Sequence, residues 1–381
     1  MTVADEVLAA LRATAVERDR RGGHAAHEKA LLRDAGLLAQ AVPIAFGGQG
    51  AAWPAVYDTV RRVARVDSAL AHLLAFHHLQ VATVLIYGTP AQQSRWLRAT
   101  VGEGLWWGNA MNPLDPRLVS AEDDAGQILT GTKGFCSGAQ GSDLMTFSAV
   151  HAASGKLLLG VLATQAPGVT VNDDWQAIGQ RQTDSVSVDF AQVRVPQADV
   201  LRRPTDAATV RHSLRTCLGQ LILVNLYLGI AEGALEAARE LTLTGTRPWL
   251  YAGVATAAED PYRLQRFGEM HLQSVAAAVL ADRAAALLQQ AWDAGDAVTP
   301  TQRRVVGLAI TEAKVLAHRA SLFVSQELFD AAGTRAAQTE LGLDRYWRNA
   351  RTHTLHDPLD YKLRTLGRWA LSGEFTADLY T

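Results

Sequence analysis

Ser185-Val-Ser-Val-Asp-Phe190 alternates polar and apolar side chains without a break, and upstream of it Lys156-Leu-Leu-Leu-Gly-Val-Leu-Ala-Thr164 is an almost continuous apolar run. A two-residue period exposes one face and buries the other, so these stretches are predicted strands. The strand pattern extends from Trp106 to about residue 203. Gly131, Gly134, Gly138 and Gly141 punctuate it, and Val193-Arg-Val-Pro196 is predicted as the closing edge strand, where a proline without an N–H is tolerated.

On either side the period changes to that of a helix. Residues 1–105 are rich in Ala and Leu at helical spacing, interrupted by Pro43 and the Gly47-Gly48-Gln49-Gly50 run. Beyond residue 203 the helical pattern returns. There Val306, Ile310, Ala313, Ala317, Ala320 and Val324 recur at intervals of four and three, one face of a long helix. Small residues on that stripe permit close packing, which predicts a bundle whose apolar faces are completed by oligomerisation. The predicted fold class is α+β, mostly α: an N-terminal helical domain over 1–105, a central β domain over 106–203 and a C-terminal helical bundle over 204–381.

Composition limits the function. With 36 basic and 38 acidic side chains and no dense Lys/Arg run, the chain offers no field for nucleic acid. Cys136 and Cys217 lie far apart without paired spacing, which builds neither a zinc cage nor a disulfide framework and suits a reduced, cytoplasmic setting. The longest apolar stretch, Leu221 to Ile230, is far shorter than the ~20 residues of a membrane span, and the acidic start MTVADEVLAALRA is unlike an export signal. No membrane partner is expected. No G-x-G-x-x-G follows a strand, so no nicotinamide site is expected either.

Several short stretches carry candidate chemistry. Leu31-Leu-Arg-Asp-Ala-Gly-Leu-Leu38, with Val42-Pro43 and Phe46-Gly-Gly-Gln-Gly50, is a helix stop and a loop. In Trp106-Trp-Gly-Asn-Ala-Met-Asn-Pro113 the amides of Asn109 and Asn112 offer a donor and an acceptor to a ligand, or else fix a turn. Phe135-Cys-Ser137 presents the neutral hydroxyl of Ser137 in a Gly-rich loop. Asp173-Asp-Trp-Gln-Ala-Ile-Gly-Gln-Arg-Gln-Thr183 supplies Trp175 and Thr183, and Thr246-Arg-Pro-Trp249 supplies Arg247, a planar fork suited to phosphate. His72 and Phe76 lie one helical turn apart on one face, whereas His77 and His78 carry no specific signal and are expected at the surface.

Near the C-terminus, Arg345-Tyr-Trp-Arg-Asn-Ala-Arg-Thr-His-Thr-Leu-His-Asp-Pro358 holds His353 and His356. Asp357 before Pro358 is predicted to cap a helix over Leu359–Ala370, placing His356 at the positive end of its dipole, which favours a neutral ring. Two imidazoles satisfied in the core is the plainer alternative. No metal is expected, since Asp357 and Asp360 are the only nearby carboxylates and no cysteine is near.

These motifs and the order of the elements resemble the acyl-CoA dehydrogenase superfamily over nearly the whole chain, and within it the flavin-dependent, dibenzothiophene monooxygenase-like branch. The resemblance implies a central β-barrel or sandwich, a C-terminal four-helix bundle and a homotetramer. It implies a flavin lying against Asn109, Asn112, Ser137, Trp175 and Thr183, with Arg247 at its phosphate. Acyl-CoA dehydrogenases proper carry a Tyr-Glu-Gly whose glutamate removes the α-proton of the thioester; here Leu355-His356-Asp357-Pro358 stands instead, and H-x-x-H-D-P is the pattern of the monooxygenase branch. The implied activity uses reduced flavin, FMN ahead of FAD, delivered by a separate flavin reductase. Its C4a-hydroperoxide, formed with O2, would oxygenate an electron-rich aromatic or heteroatom substrate. Ser137 and Asn109 would hold the flavin, His356 would serve the peroxide, His353 would orient it, and His72 would line the site. The branch often has Tyr where this chain has Phe76. The alternative is an FAD-dependent acyl-CoA dehydrogenase acting on a CoA thioester, with Asp357 as base.

Overall fold

In a computed structural model of the chain, residues 5–124 and 126–377 are described; the first four and last four residues of the expected helical parts lie outside them. Five helices come first: α1 (Asp5–Arg21), α2 (Ala26–Asp34), α3 (Trp53–Val66), α4 (Ser68–Tyr87) and α5 (Pro90–Gly102). Asp67 starts α4, its Oδ1 accepting from the N–H groups of Ala69 and Leu70 at 3.0 and 3.1 Å while Arg18 lies 2.5 Å from Oδ2. A cap of this kind is worth about 1 kcal/mol and fixes the phase of the helix.

Nearly every residue of α4 is buried, so it runs through the interior and leaves no face for solvent. That corrects the expectation for His77 and His78, both of which are buried. His77 Nδ1 accepts from the Trp107 N–H at 3.3 Å, so Nε2 carries the proton and donates to the Leu38 carbonyl at 2.9 Å. The longest uninterrupted apolar stretch also understates the helices. Ser68–Tyr87 and the 211–244 helix are both long and apolar enough to cross a membrane, yet 94% and 78% of their apolar windows are buried within the protein.

Eight strands follow: β1 (Trp107–Ala110), β2 (Val119–Asp123), β3 (Gly126–Cys136), β4 (Leu144–His151), β5 (Leu157–Ala163), β6 (Val169–Val171), β7 (Val186–Pro196) and β8 (Val200–Arg202). They form one sheet in the order β6-β7-β3-β2-β4-β5-β8, with β1 paired in parallel to β4. The predicted strands at 156–164 and 185–190 are β5 and β7. Val193–Pro196 does not close the block: it pairs with β3, and β8 follows it to pair with β5, because the chain turns at Gln197–Asp199 and returns to the sheet. The segment is nevertheless open on its other side, since β6 reaches only residues 188–190 of β7.

The C-terminal part is built on three long helices, α6 (Leu214–Thr244), α7 (Pro261–Asp293) and α8 (Pro300–Ala332), followed by α9 (Asp344–His353) and α10 (Leu359–Ser372). All six residues of the predicted stripe, Val306 to Val324, are buried on α8, which packs on both α6 and α7. Each large aliphatic side chain in such a seam stabilises by about 1.5–3 kcal/mol, and the alanines let the backbones approach. Two glycines lie where sheet and helices approach closely. A Cβ on Gly138, after β3, would touch the Leu73 side chain of α4 at 3.4 Å; one on Gly179, before β7, would lie 2.2 Å from the Arg348 carbonyl oxygen of α9.

Candidate active site

Three histidines meet where α4 passes α9. His72 stacks on Phe76, with centroids 4.1 Å apart and planes at 20°, as their one-turn spacing predicts. The His353 ring stands edge-on to His72 at 4.9 Å, and Tyr227 on α6 pins this turn by donating its hydroxyl to the His353 carbonyl at 2.9 Å. Burial pushes His72 down to about 3, with the neighbouring His356 adding to the shift. Burial, then His72, His356 and Lys314, hold His353 well below the ordinary imidazole value. Both rings are therefore neutral at physiological pH. Both nitrogens of His72 and Nδ1 of His353 are buried without a hydrogen-bond partner among the described residues. An unpaired buried imidazole is costly, and the arrangement suits rings that await a ligand.

The sheet loops bring the second group together. Ser185 Oγ lies 3.1 Å from Ser137 Oγ and 2.8 Å from Thr183 Oγ1, and Thr183 donates to the Gln180 carbonyl at 3.0 Å. The donor direction follows along the chain of hydroxyls. With its proton on Gln180, Thr183 accepts from Ser185, which accepts from Ser137, so Ser137 keeps lone pairs for an incoming N–H. The Asn109 N–H donates to the Ser137 carbonyl at 3.0 Å, and the Asn109 carboxamide accepts from the Met111 N–H at 3.2 Å. Trp175 donates Nε1–H to the Gln180 carbonyl at 2.9 Å and meets edge-on the ring of Phe135, which is 70% exposed.

Gln180 joins the two groups. Its N–H donates to Asn349 Oδ1 at 2.6 Å and its carboxamide to Ser68 Oγ at 2.9 Å. Ser68 lies one turn before His72 and Asn349 one turn before His353, so a single residue keys the hydroxyl loop to both histidine-bearing faces. Sequence reasoning did not single out Gln180, Ser185, Asn349 or Tyr227 for the site: Ser185 shows only as the start of a strand pattern, and Gln180 and Asn349 only as members of longer stretches. Lys133 was also missed: buried in β3, it donates to the carbonyls of Asn112 and Asp115 at 2.7 and 2.6 Å and holds the 112–115 turn against the strand.

Asp357 differs from its predicted role. Pro358, not Asp357, occupies the position that starts α10, and no side-chain cap is made there. The carboxylate turns inward instead, pairing with Lys314 of α8, while Lys362 of α10 lies 3.5 Å from Oδ2. A lysine buried in the α8 seam needs a counter-charge more than a helix end needs a cap. His356 Nδ1 lies 3.1 Å from Asp357 Oδ1, and the His356 ring is 45% exposed at the edge of the histidine group. The structure does not bring every predicted residue together. The Asn112 Oδ1 accepts from the Leu114 N–H at 3.1 Å, closing its own turn, and Arg247 is exposed in the connection between α6 and α7.

No three His, Cys, Asp or Glu side chains are grouped to hold a metal among the described residues. The donor set fits a planar heteroaromatic group instead: an acceptor hydroxyl at Ser137, aromatic edges at Phe135 and Trp175, and neutral imidazoles with open nitrogens at His72 and His353. Comparison with known proteins agrees. The acyl-CoA dehydrogenase N-terminal domain matches residues 2–103 and the C-terminal domain residues 221–361.

The chain belongs to the acyl-CoA dehydrogenase family. Within it, a relative from Pseudomonas putida named "Probable FMNH2-dependent monooxygenase SfnC" is 45% identical over 98% of this chain and 94% of its own. The solved methanesulfinate monooxygenase MsuC of Pseudomonas fluorescens superposes with a TM-score of 0.96 at 43% identity, covering 99% of this chain and 98% of that one. The dibenzothiophene monooxygenase TdsC of Paenibacillus sp. A11-2, solved with FMN and indole, superposes with a TM-score of 0.96 at 38% identity, covering 100% and 99%.

Proposed function

We infer that the chain is a two-component flavin-dependent monooxygenase that takes reduced FMN from a separate flavin reductase and uses O2 to oxygenate an electron-rich aromatic or heteroatom substrate. The observation that carries this reading is the state of Asp357. A thioester dehydrogenase needs a carboxylate that can accept an α-proton, and an effective base has a pKa near the working pH. Burial opposes ionisation of Asp357, but the hydrogen bond from His356 and the charges of Lys314 and Lys362 outweigh it and hold the carboxyl well below the usual range. Such a group is too weak a base for the dehydrogenase role.

When bound, the reduced flavin supplies the electrons that activate dioxygen. The chain's own residues have other tasks. Ser137, backed by Ser185 and Thr183, would accept an N–H of the ring, and Asn109 supports the Ser137 backbone. Phe135 and Trp175 offer apolar edges, and Arg247, exposed between α6 and α7, would reach the phosphate of a flavin held by a neighbouring subunit. His72 and Phe76 form a dry wall, and His353, kept neutral by burial, presents hydrogen-bonding nitrogens without charge. His356 holds or moves a proton at the reacting oxygen.

The supporting assembly is a homotetramer in the cytoplasm. Its support is the exposed apolar surface at Trp249, Leu250 and Tyr251 and at Leu272, Val275 and Val279 of α7, together with two free, buried cysteines. The deciding experiment supplies chemically reduced FMN, air and a panel of sulfur and nitrogen heteroaromatics, and measures oxygenated product. Product formation is expected, with no anaerobic bleaching of bound flavin by acyl-CoA esters. Bleaching without oxygenation would overturn the reading.

A further inference from the structure

We propose that Asp357, clamped between Lys314 and Lys362, is a positioning residue for His356: it takes the Nδ1–H of the imidazole and so fixes the tautomer and orientation of the ring. His356 follows α9 in a short turn, its N–H donating to the His353 carbonyl at 3.0 Å, and its ring is the most exposed of the three histidines, so packing alone does not fix its tautomer. Asp357 Oδ1 lies 3.1 Å from Nδ1. An ionised carboxylate is acceptor-only, so this contact requires the proton on Nδ1.

The carboxylate is itself fixed from two helices. Lys314, fully buried in the α8 seam and bonded to Gln220 Oε1 at 2.6 Å, pairs with Oδ1, and Lys362 of α10 lies 3.5 Å from Oδ2. Two cations on one carboxylate prevent it from taking the imidazole's proton, so it orients the ring without competing for its charge. The other titratable groups around the pair are His318 of α8, Tyr227 of α6, His353 and Arg351 of α9, and His72 of α4. Burial keeps His72, His353 and His318 neutral across the physiological range, so these three rings change no charge beside His356 there. The reactive role of His356 rests on the monooxygenase reading; the tautomer does not.

The test compares the wild type with Asp357→Ala and with the double variant D357A/K314Q, which removes the carboxylate together with one lysine and so strands less charge in the core. In flavin-free protein, nitrogen–proton correlation spectra of the histidine rings, with His356 assigned by its loss in His356→Gln, report which ring nitrogen carries the proton. The wild type is expected to hold it on Nδ1, and both variants are expected to lose that preference. With reduced FMN and substrate, kcat is expected to fall tenfold or more while the substrate KM changes less than twofold. A proton still held on Nδ1 in a variant that melts cooperatively would overturn the proposal. Because the ring spectra need no flavin, a wild type that failed to oxygenate any substrate would count against the monooxygenase reading while the spectra still decided this one.

Discussion

The two halves of the site are held by different physics. On the helical side, His72 and His353 are set by packing: α4 and α9 are rigid, their rings are buried, and desolvation decides their charge. On the sheet side, Ser137, Ser185 and Thr183 are set by a directional chain of neutral hydrogen bonds on irregular backbone, with Phe135 and Gln180 at φ of 56° and 53°. Packing tolerates no change of volume, whereas a hydrogen-bonded loop tolerates volume but not the loss of a donor. The helical side is therefore sensitive to pH and the sheet side to single polar substitutions.

The largest expected effect comes from separating the halves. Gly179→Ala would place a methyl group 2.2 Å from the Arg348 carbonyl oxygen and 2.3 Å from its carbon, forcing α9 away from the loop that Gln180 anchors. Turnover is expected to fall by about 100-fold, because a displacement of about 1 Å is enough to cost that much, and stability by about 3 kcal/mol, an overpacking cost. Turnover assays and chemical denaturation check it; near-normal turnover would mean that the two halves work independently.

An intermediate effect is expected from acid. His72 is pushed down to about 3 and His77 and His318 to about 4, in each case chiefly by burial. In the unfolded chain these rings take protons near pH 6.5, so the folded state binds fewer protons between there and about pH 4. Their contribution is complete above pH 6.5 and is lost as pH falls below it. The thermal midpoint should drop steeply between pH 6.5 and 4, and His72→Phe should flatten that slope; a midpoint insensitive to pH in this window would show that desolvation does not govern the helical side.

The smallest effect isolates the sheet side. Ser185→Ala removes the middle of the hydroxyl chain, which frees the Ser137 proton to point at the ligand and ends its role as a dedicated acceptor. A loss of about 1–2 kcal/mol is expected in binding of reduced FMN, with little change in its pH dependence. Anaerobic titration with reduced FMN measures it, and unchanged affinity would show that the hydroxyl chain does not prepare Ser137 for the ligand.

Much of this is legible in the sequence. The α8 stripe, β5, β7 and the pairing of His72 with Phe76 all follow from repeats of two or of three and four, which a sequence displays directly. The H-x-x-H-D-P ending is visible in the sequence, but the local rule for Asp before Pro pointed to a helix cap. That rule lost because Lys314 lies in the core with its charge and Asp357 is the carboxylate that meets it. His77 and His78 were misplaced for a related reason: α4 is covered on every side, and polar residues give no sign of that when their partners come from elsewhere in the chain.

The sequence by itself determined the element order, the mostly helical class, the seams of small residues and which short stretches carry hydroxyls, amides and imidazoles. These are local properties, encoded in spacing. Only the tertiary structure decided that Gln180 joins Ser68, 112 residues before it, to Asn349, 169 residues after it, and that Lys314 takes Asp357 across 43 residues. Such pairings are chosen by burial, where each charge or donor must find a partner among whatever the fold has placed nearby, and no period in the chain announces which partner that will be.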